Sequence, residues 1–239
     1  MVKLKNPELT CPKCKYPKTK TAEICYRCRG HNRVAIESTM APAIQRKDID
    51  KIIKSIKINK ELSNEEKNVL FRNRVLVSIL YLSGARITEV LSLKKENFDF
   101  DRPKSANYLI RKMMNQKNKK NPTKVIPMPK SDKLVKDIKS YVERLPTDNS
   151  YLFYQRKKVF GWTYERINKP MHRSTAFRMV KKLDPDIWCH WFRHQRLSHL
   201  AENLTDRQLI GISGHRSTQN LEHYVRLNPS AYEGLIPTE

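Results

Sequence analysis

Apolar residues recur at helical spacing over most of this chain. Lys47–Ile58 carries Ile49, Ile52, Ile53 and Ile56 on one face, which predicts an amphipathic helix. Ser63 with Glu66 reads as a capping box. An apolar-rich helix follows from Val69 to Leu82, and Gly84 breaks it. Ile87–Leu93 is a third helical stretch. Asn107–Ile110 and Lys124–Met128 read as two strands around a polar, lysine-rich turn. Ser131–Leu145 is amphipathic, and Thr175–Leu183 and His190–Leu200 are further helices. Thr205 and Gln208 make a second capping box that opens a helix to Ile212. Leu221–Leu227 is a short helix in the same reading. The fold class expected is therefore mostly α with one small antiparallel β-sheet.

The first thirty residues do not share this pattern. They hold Cys11 and Cys14, ten intervening residues, then Cys25 and Cys28. Each C-x-x-C turn aims two thiolates at one point, and two such turns on a short hairpin complete a tetrahedral four-sulfur shell suited to Zn2+. Two disulfides, or four unrelated thiols, are the alternative. A segment this short has no core of its own, so bound metal would supply most of its folding energy. With four thiolates the shell is closed, which makes the zinc structural. The division expected is a zinc-ribbon-like module at 1–30, a linker at 31–43 and a helical catalytic domain at 44–239.

Charge narrows the function classes. Of 239 residues, 48 are Lys or Arg and 24 are Asp or Glu, a formal net charge of +24. Apolar residues make up 38%, below the roughly 45–50% of an average domain, yet enough for a packed core. Such an excess points to a polyanion, and to nucleic acid before a membrane surface. Lys104–Lys139 holds eleven Lys or Arg against two Asp, and Leu152–Lys182 holds nine against one Glu. The longest apolar stretch, near Val75–Leu82, falls far short of the ~20 residues of a spanning helix. The N-terminus carries basic residues without an apolar core, so no secretory signal is expected. A cytoplasmic, reducing setting follows, which also favours zinc over disulfides.

Three islands carry candidate chemistry. The first runs from Leu82 through Gly84, Arg86 and Glu89 to Leu93; the second is His190-Trp-Phe-Arg193; the third is Gly214-His215, with Tyr224 nine residues after the histidine. Arg after a Gly turn, Lys in a hairpin, H-x-x-R, then G-H and a Tyr nine residues on make an ordered set. In it the chain resembles the tyrosine recombinase, or phage integrase, family over about Lys47–Leu227. The resemblance implies the recombinase catalytic fold and strand breakage without metal. It makes Tyr224 the nucleophile that holds the cut strand as a phosphotyrosine. Arg86 and Arg193 become guanidinium ligands of the scissile phosphate, for which their paired planar donors suit them. His215 becomes a phosphate ligand that steers the Tyr proton. His190 becomes a proton acceptor near the Tyr, or a further phosphate ligand.

A hairpin lysine would protonate the leaving 5′-oxygen. Counting back from Pro127 along the family pattern K-G-x-K-x-R-x-V-P gives Lys119, with Lys117 and Lys120 as alternatives because Lys120 stands where the pattern has Gly. Glu89 is expected to pair with a basic neighbour or a backbone amide and orient the site. His194, His199 and His223 fall outside the motif, and Cys189 reads as core.

The resemblance stops at the N-terminal side. The family places a helical clamp domain ahead of the catalytic one, and here about forty residues precede it, with a cysteine module that suggests an archaeal type. Tyr232, Leu235 and Ile236 are expected to dock on a neighbouring subunit. The partners expected are double-stranded DNA and further copies of the chain on DNA, and no membrane. The leading function is site-specific recombination that integrates or excises a mobile element. The alternatives are a type IB topoisomerase-like nicking-closing enzyme and a zinc-containing DNA-binding protein that does not cut.

Overall fold

The structure is a computed structural model that describes residues 44–115, 121–159, 164–215 and 217–221. The chain divides into two units, Met1–Pro42 and Ala43–Glu239. The cysteine module and linker, the hairpin lysines and everything beyond Leu221 lie outside the described residues. Within them run seven α-helices: α1 Arg46–Lys54, α2 Asn64–Ser83, α3 Ile87–Leu91, α4 Lys133–Glu143, α5 Arg173–Lys181, α6 Cys189–Ala201 and α7 Asp206–Ser213. Five strands accompany them: β1 Phe98–Asp99, β2 Asn107–Met114, β3 Thr123–Pro129, β4 Tyr154–Lys158 and β5 Tyr164–Pro170. No described helix is long and apolar enough to cross a membrane.

Helix α2 is the axis of the core. Ser63 caps it: its hydroxyl accepts the Glu66 N–H, and the Glu66 carboxylate takes the Ser63 N–H at 2.9 Å. From Val75 to Ser83 every residue is buried, as expected for a helix enclosed on all sides. Helices α1, α4 and α6 pack around it. α1 contributes Ile49 and Ile53, both fully buried, and ends earlier than the periodicity predicted, although Ile56 still reaches the core. α4 supplies Leu134, Val135, Ile138, Tyr141 and Val142 along one stripe, with Asp132 as its N-cap. The capping box at Thr205 and Gln208 opens α7. α7 closes a smaller apolar cluster of Leu197, Leu209 and Leu221. Leu221 ends a 3-10 turn at Thr218–Leu221, and the remainder of the expected helix at Leu221–Leu227 lies outside the described residues.

The sheets correct the sequence expectation of a single one. β1, β2 and β3 form an antiparallel sheet in that order, and β4 and β5 form a separate two-stranded ribbon. The ribbon was illegible because neither strand has an apolar face; most of its residues are exposed or half-buried. Its glue is cationic and aromatic. Arg156 lies over Tyr164 at 4.4 Å from the ring centre, and Arg166 over Tyr154 at 4.2 Å.

β2 also hides a bulge. Ile110 pairs with Ile126 and Met113 with Lys124, so two residues of β2 oppose one of β3. The bulged Lys112 takes a left-handed backbone, φ 50°, which costs an L-residue about 1–2 kcal/mol. The extra residue shifts the alternation of β2: Arg111 and Lys112 both face out, while Met113 and then Asn115 turn inward.

Candidate active site

Two helices end on glycines with left-handed backbone, and each releases the chain into the same place. α2 is capped by Gly84, φ 55°, and α7 by Gly214, φ 70°. Only glycine adopts this conformation without cost. Arg86 stands two residues beyond the first cap and His215 one residue beyond the second.

Arg193, from α6, ties these two ends together. Its side chain is wholly buried; Nη1 donates to the Gly84 carbonyl at 2.6 Å and Nη2 to the Ser213 carbonyl at 3.0 Å. Both carbonyls sit at helix C-termini, where the helix dipole favours a cation. Nη2 also lies 3.0 Å from Nε2 of His215. A guanidinium has no acceptor, so Nε2 must accept. The imidazole is then neutral, with its hydrogen on Nδ1. Burial pushes the His215 pKa down to about 4, and the charges of Arg193, Arg86, Lys124 and His190 push the same way.

Arg86 is the N-cap of α3 and is oriented by a fully buried carboxylate. Glu89 accepts the Arg86 backbone N–H through Oε2 and its Nη1 through Oε1, both at 3.0 Å. On the other side Lys124, projecting inward from β3, brings its Nζ to 3.0 Å from Oε2. Burial opposes ionisation of Glu89. The Lys124 charge and the Arg86 N–H groups outweigh it and hold the carboxyl below its ordinary range. Burial pulls Lys124 the other way, down to about 8, with Glu89 resisting and Arg193 and Arg86 adding to the fall.

His190 sits in the first turn of α6, one turn before Arg193, and is exposed. Together with Arg86, Arg173, Phe177 and Trp188 it lines an open cleft of about 420 Å³. Asn115 follows directly on β2 and is buried. Its N–H donates to the Pro122 carbonyl at 2.7 Å, and its side chain lies so close to Gly214 that a Cβ there would come within 2.8 Å of Nδ2 and Oδ1. The base of the hairpin is thereby docked on the glycine that launches His215.

Of the six residues singled out for chemistry, the structure gathers Arg86, His190, Arg193 and His215; Lys119 and Tyr224 lie outside the described residues. So do the four cysteines expected to bind zinc, and among the described residues no other cluster could hold a metal. Glu89 pairs with both a basic neighbour and a backbone amide, as expected. His199 is a packing residue bound to the Tyr81 hydroxyl at 2.9 Å and the Ile44 carbonyl at 2.7 Å. Cys189 is buried, and burial lifts its thiol to about 11, a core role. Sequence reasoning missed Lys124 and Asn115. Lys124 had a signal: it shares the inward row of β3 with Ile126 and Met128. Asn115 had none, because the bulge that turns it inward is invisible in the residue pattern.

A helical domain that presents two arginines and two histidines in this way defines a known class. The phage integrase family model matches residues 42–231, and the chain belongs to that family. Among its relatives, tyrosine recombinase XerA of Pyrococcus furiosus is 26% identical over 198 residues, covering 80% of this chain and 59% of the relative. XerC of Rickettsia rickettsii is 27% identical over 197 residues, 79% and 58% of the two chains. The chain thus spans somewhat more than half the length of these relatives. The fold is similar to the crystal structure of XerA recombinase, with a TM-score of 0.58, 22% identity, and coverage of 84% of this chain and 67% of that one. It is also similar to XerH site-specific recombinase bound to its difH substrate, with a TM-score of 0.59, 19% identity, and coverage of 81% and 53%.

Proposed function

We propose that this chain is a site-specific DNA recombinase that cuts and rejoins duplex DNA through a 3′-phosphotyrosine. The observation that carries the proposal is the Arg86, Arg193 and His215 cluster, built before any substrate arrives, with Arg86 and His190 lining the same open cleft. In the proposed step the Tyr224 phenol oxygen attacks the scissile phosphorus and the bond to the 5′-oxygen breaks. The Tyr proton passes to a neighbouring base, with His190 as the candidate. The leaving oxygen takes a proton from a hairpin lysine, Lys119 by register. Arg86 and Arg193 donate to the non-bridging oxygens, where negative charge grows. Donors fixed in advance avoid reorganisation at that moment. His215, neutral, stands beside Arg193 and accepts from it through Nε2 at 3.0 Å. Attack by the freed 5′-hydroxyl reverses the step and restores DNA, so the bond energy is kept in the phosphotyrosine.

Double-stranded DNA is the proposed substrate, in the cytoplasm, with self-association on DNA during exchange. Cys11, Cys14, Cys25 and Cys28 are proposed as ligands of a structural zinc that takes no part in the chemistry. Their arrangement is also the basis for proposing an archaeal type.

The test uses nicked duplexes that trap the covalent adduct. The intact protein should yield a DNA-linked band on a denaturing gel, in EDTA as well as without it, and Tyr224→Phe should yield none. An equal adduct from Tyr224→Phe would remove Tyr224 from the mechanism. Two-site joining would then separate a recombinase from a nicking-closing enzyme.

A further inference from the structure

The proposed reaction leaves one central group unused. Lys124 stands in the inward row of β3, where Ile126 and Met128 build the core, and its side chain is 3% exposed. A lysine at such a position is costly unless an opposite charge meets it. Glu89 does so at 3.0 Å. The same carboxylate holds the Arg86 N–H and its Nη1. Lys124 and Arg86 therefore share a single carboxylate. Among the described residues the other charged or titratable groups facing Lys124 are Arg193 from α6 and His215 beyond α7.

We propose that Lys124 is a positioning residue for Arg86, its ammonium taking a share of Glu89 so that the Arg86 guanidinium is held loosely enough to turn its remaining donors to the scissile phosphate. The inference rests on the recombinase reading. When Lys124 loses its proton, Glu89 keeps Arg86 as its one cation in contact among the described residues and closes on it. The net positive charge behind Arg86 also falls by one. The proton leaves at about pH 8, so phosphate engagement weakens as pH rises through that value and is intact below it. Its ammonium is paired with Glu89, which separates this role from that of the proton donor at the hairpin turn.

The experiment follows single-turnover cleavage from below neutrality to strongly alkaline pH on two suicide duplexes. One is ordinary DNA. The other carries a bridging sulfur in place of the leaving 5′-oxygen, and its thiolate departs without a proton. Above about pH 8 the natural chain should lose rate on both substrates, about tenfold per pH unit at the steepest. Lys124→Arg, whose charge persists at every accessible pH, should cleave without that alkaline limb. Lys124→Met should be slower on both substrates at all pH values, by on the order of a hundredfold. Rescue of Lys124→Met by the sulfur substrate would make Lys124 the proton donor and overturn the positioning role, as would a Lys124→Arg limb identical to the natural one.

A DNA-free measurement stands beside this in case a variant misfolds or the target site is unmatched. In the natural chain one lysine signal should titrate near pH 8, and the Arg86 side-chain NMR signals should move with the same midpoint. Arg86 signals that stay still through that titration would overturn the proposal. An adduct independent of Tyr224 would instead fault the recombinase reading and leave these NMR outcomes unaffected.

Discussion

Arg193 has two employments at once. Its guanidinium fills a buried site between two helix C-termini, where it satisfies the carbonyls of Gly84 and Ser213, and its Nη2 meets His215 Nε2, the contact on which its proposed catalytic role rests. Removing it strands both carbonyls and leaves a cavity, and each unsatisfied buried group costs about 1–3 kcal/mol. Arg193→Ala should therefore lower unfolding free energy by about 3 kcal/mol or more in urea titration, as well as abolishing cleavage. His190 is exposed, and His190→Ala should shift stability within about 0.5 kcal/mol while still impairing cleavage. The comparison separates a residue that holds the site from one that only works in it.

At the scale of elements, the site is an arrangement of endings. Gly84 and Gly214 stop two helices, and Asn115 stops a strand against the second glycine. Gly214→Ala meets two obstacles: a left-handed φ of 70° and contact with Asn115 at 2.8 Å. The mutant should lose about 2–3 kcal/mol, the sum of the backbone cost and displaced packing. Adding Asn115→Ala should recover the packing part and leave the backbone part, which a double-mutant cycle would measure. The helices themselves were legible in the sequence. Ser63 and Thr205 announce their starts, Gly84 and Gly214 their stops, and the isoleucines of α1 the buried face. The β4–β5 ribbon was not, because Arg156 and Arg166 stacking on tyrosines leave no apolar period. Arg86, His190, Arg193 and His215 were singled out through the resemblance to the tyrosine recombinase family, which their order and spacing carry. Lys124 was hidden by its company: it stands among lysines, and its place in the inward row with Ile126 and Met128 was the mark that set it apart.

For the whole molecule, the charge of +24 divides unequally. Arg86, Arg193 and Lys124 are committed to one phosphate site and its support, and Glu89 is counted against them. Part of the surplus lies in α5 with Arg173, Arg178 and Lys181 and in the ribbon with Lys157 and Lys158. On the proposed function these cations hold flanking duplex and release its counterions. Affinity for duplex DNA should then fall on the order of a thousandfold between about 50 mM and about 200 mM salt, measured by fluorescence anisotropy. Lys124→Met, being buried, should leave that slope unchanged. The Arg193 tie has a consequence on the timescale of descent. On the proposed function, a lineage that ceased to cut DNA would be freer to drift at exposed His190 than at wholly buried Arg193. It would keep Arg193 much longer, because two helices depend on it. In this fold the persistence of that arginine is a record of folding, and a vanished His190 is the first sign that the enzyme has retired.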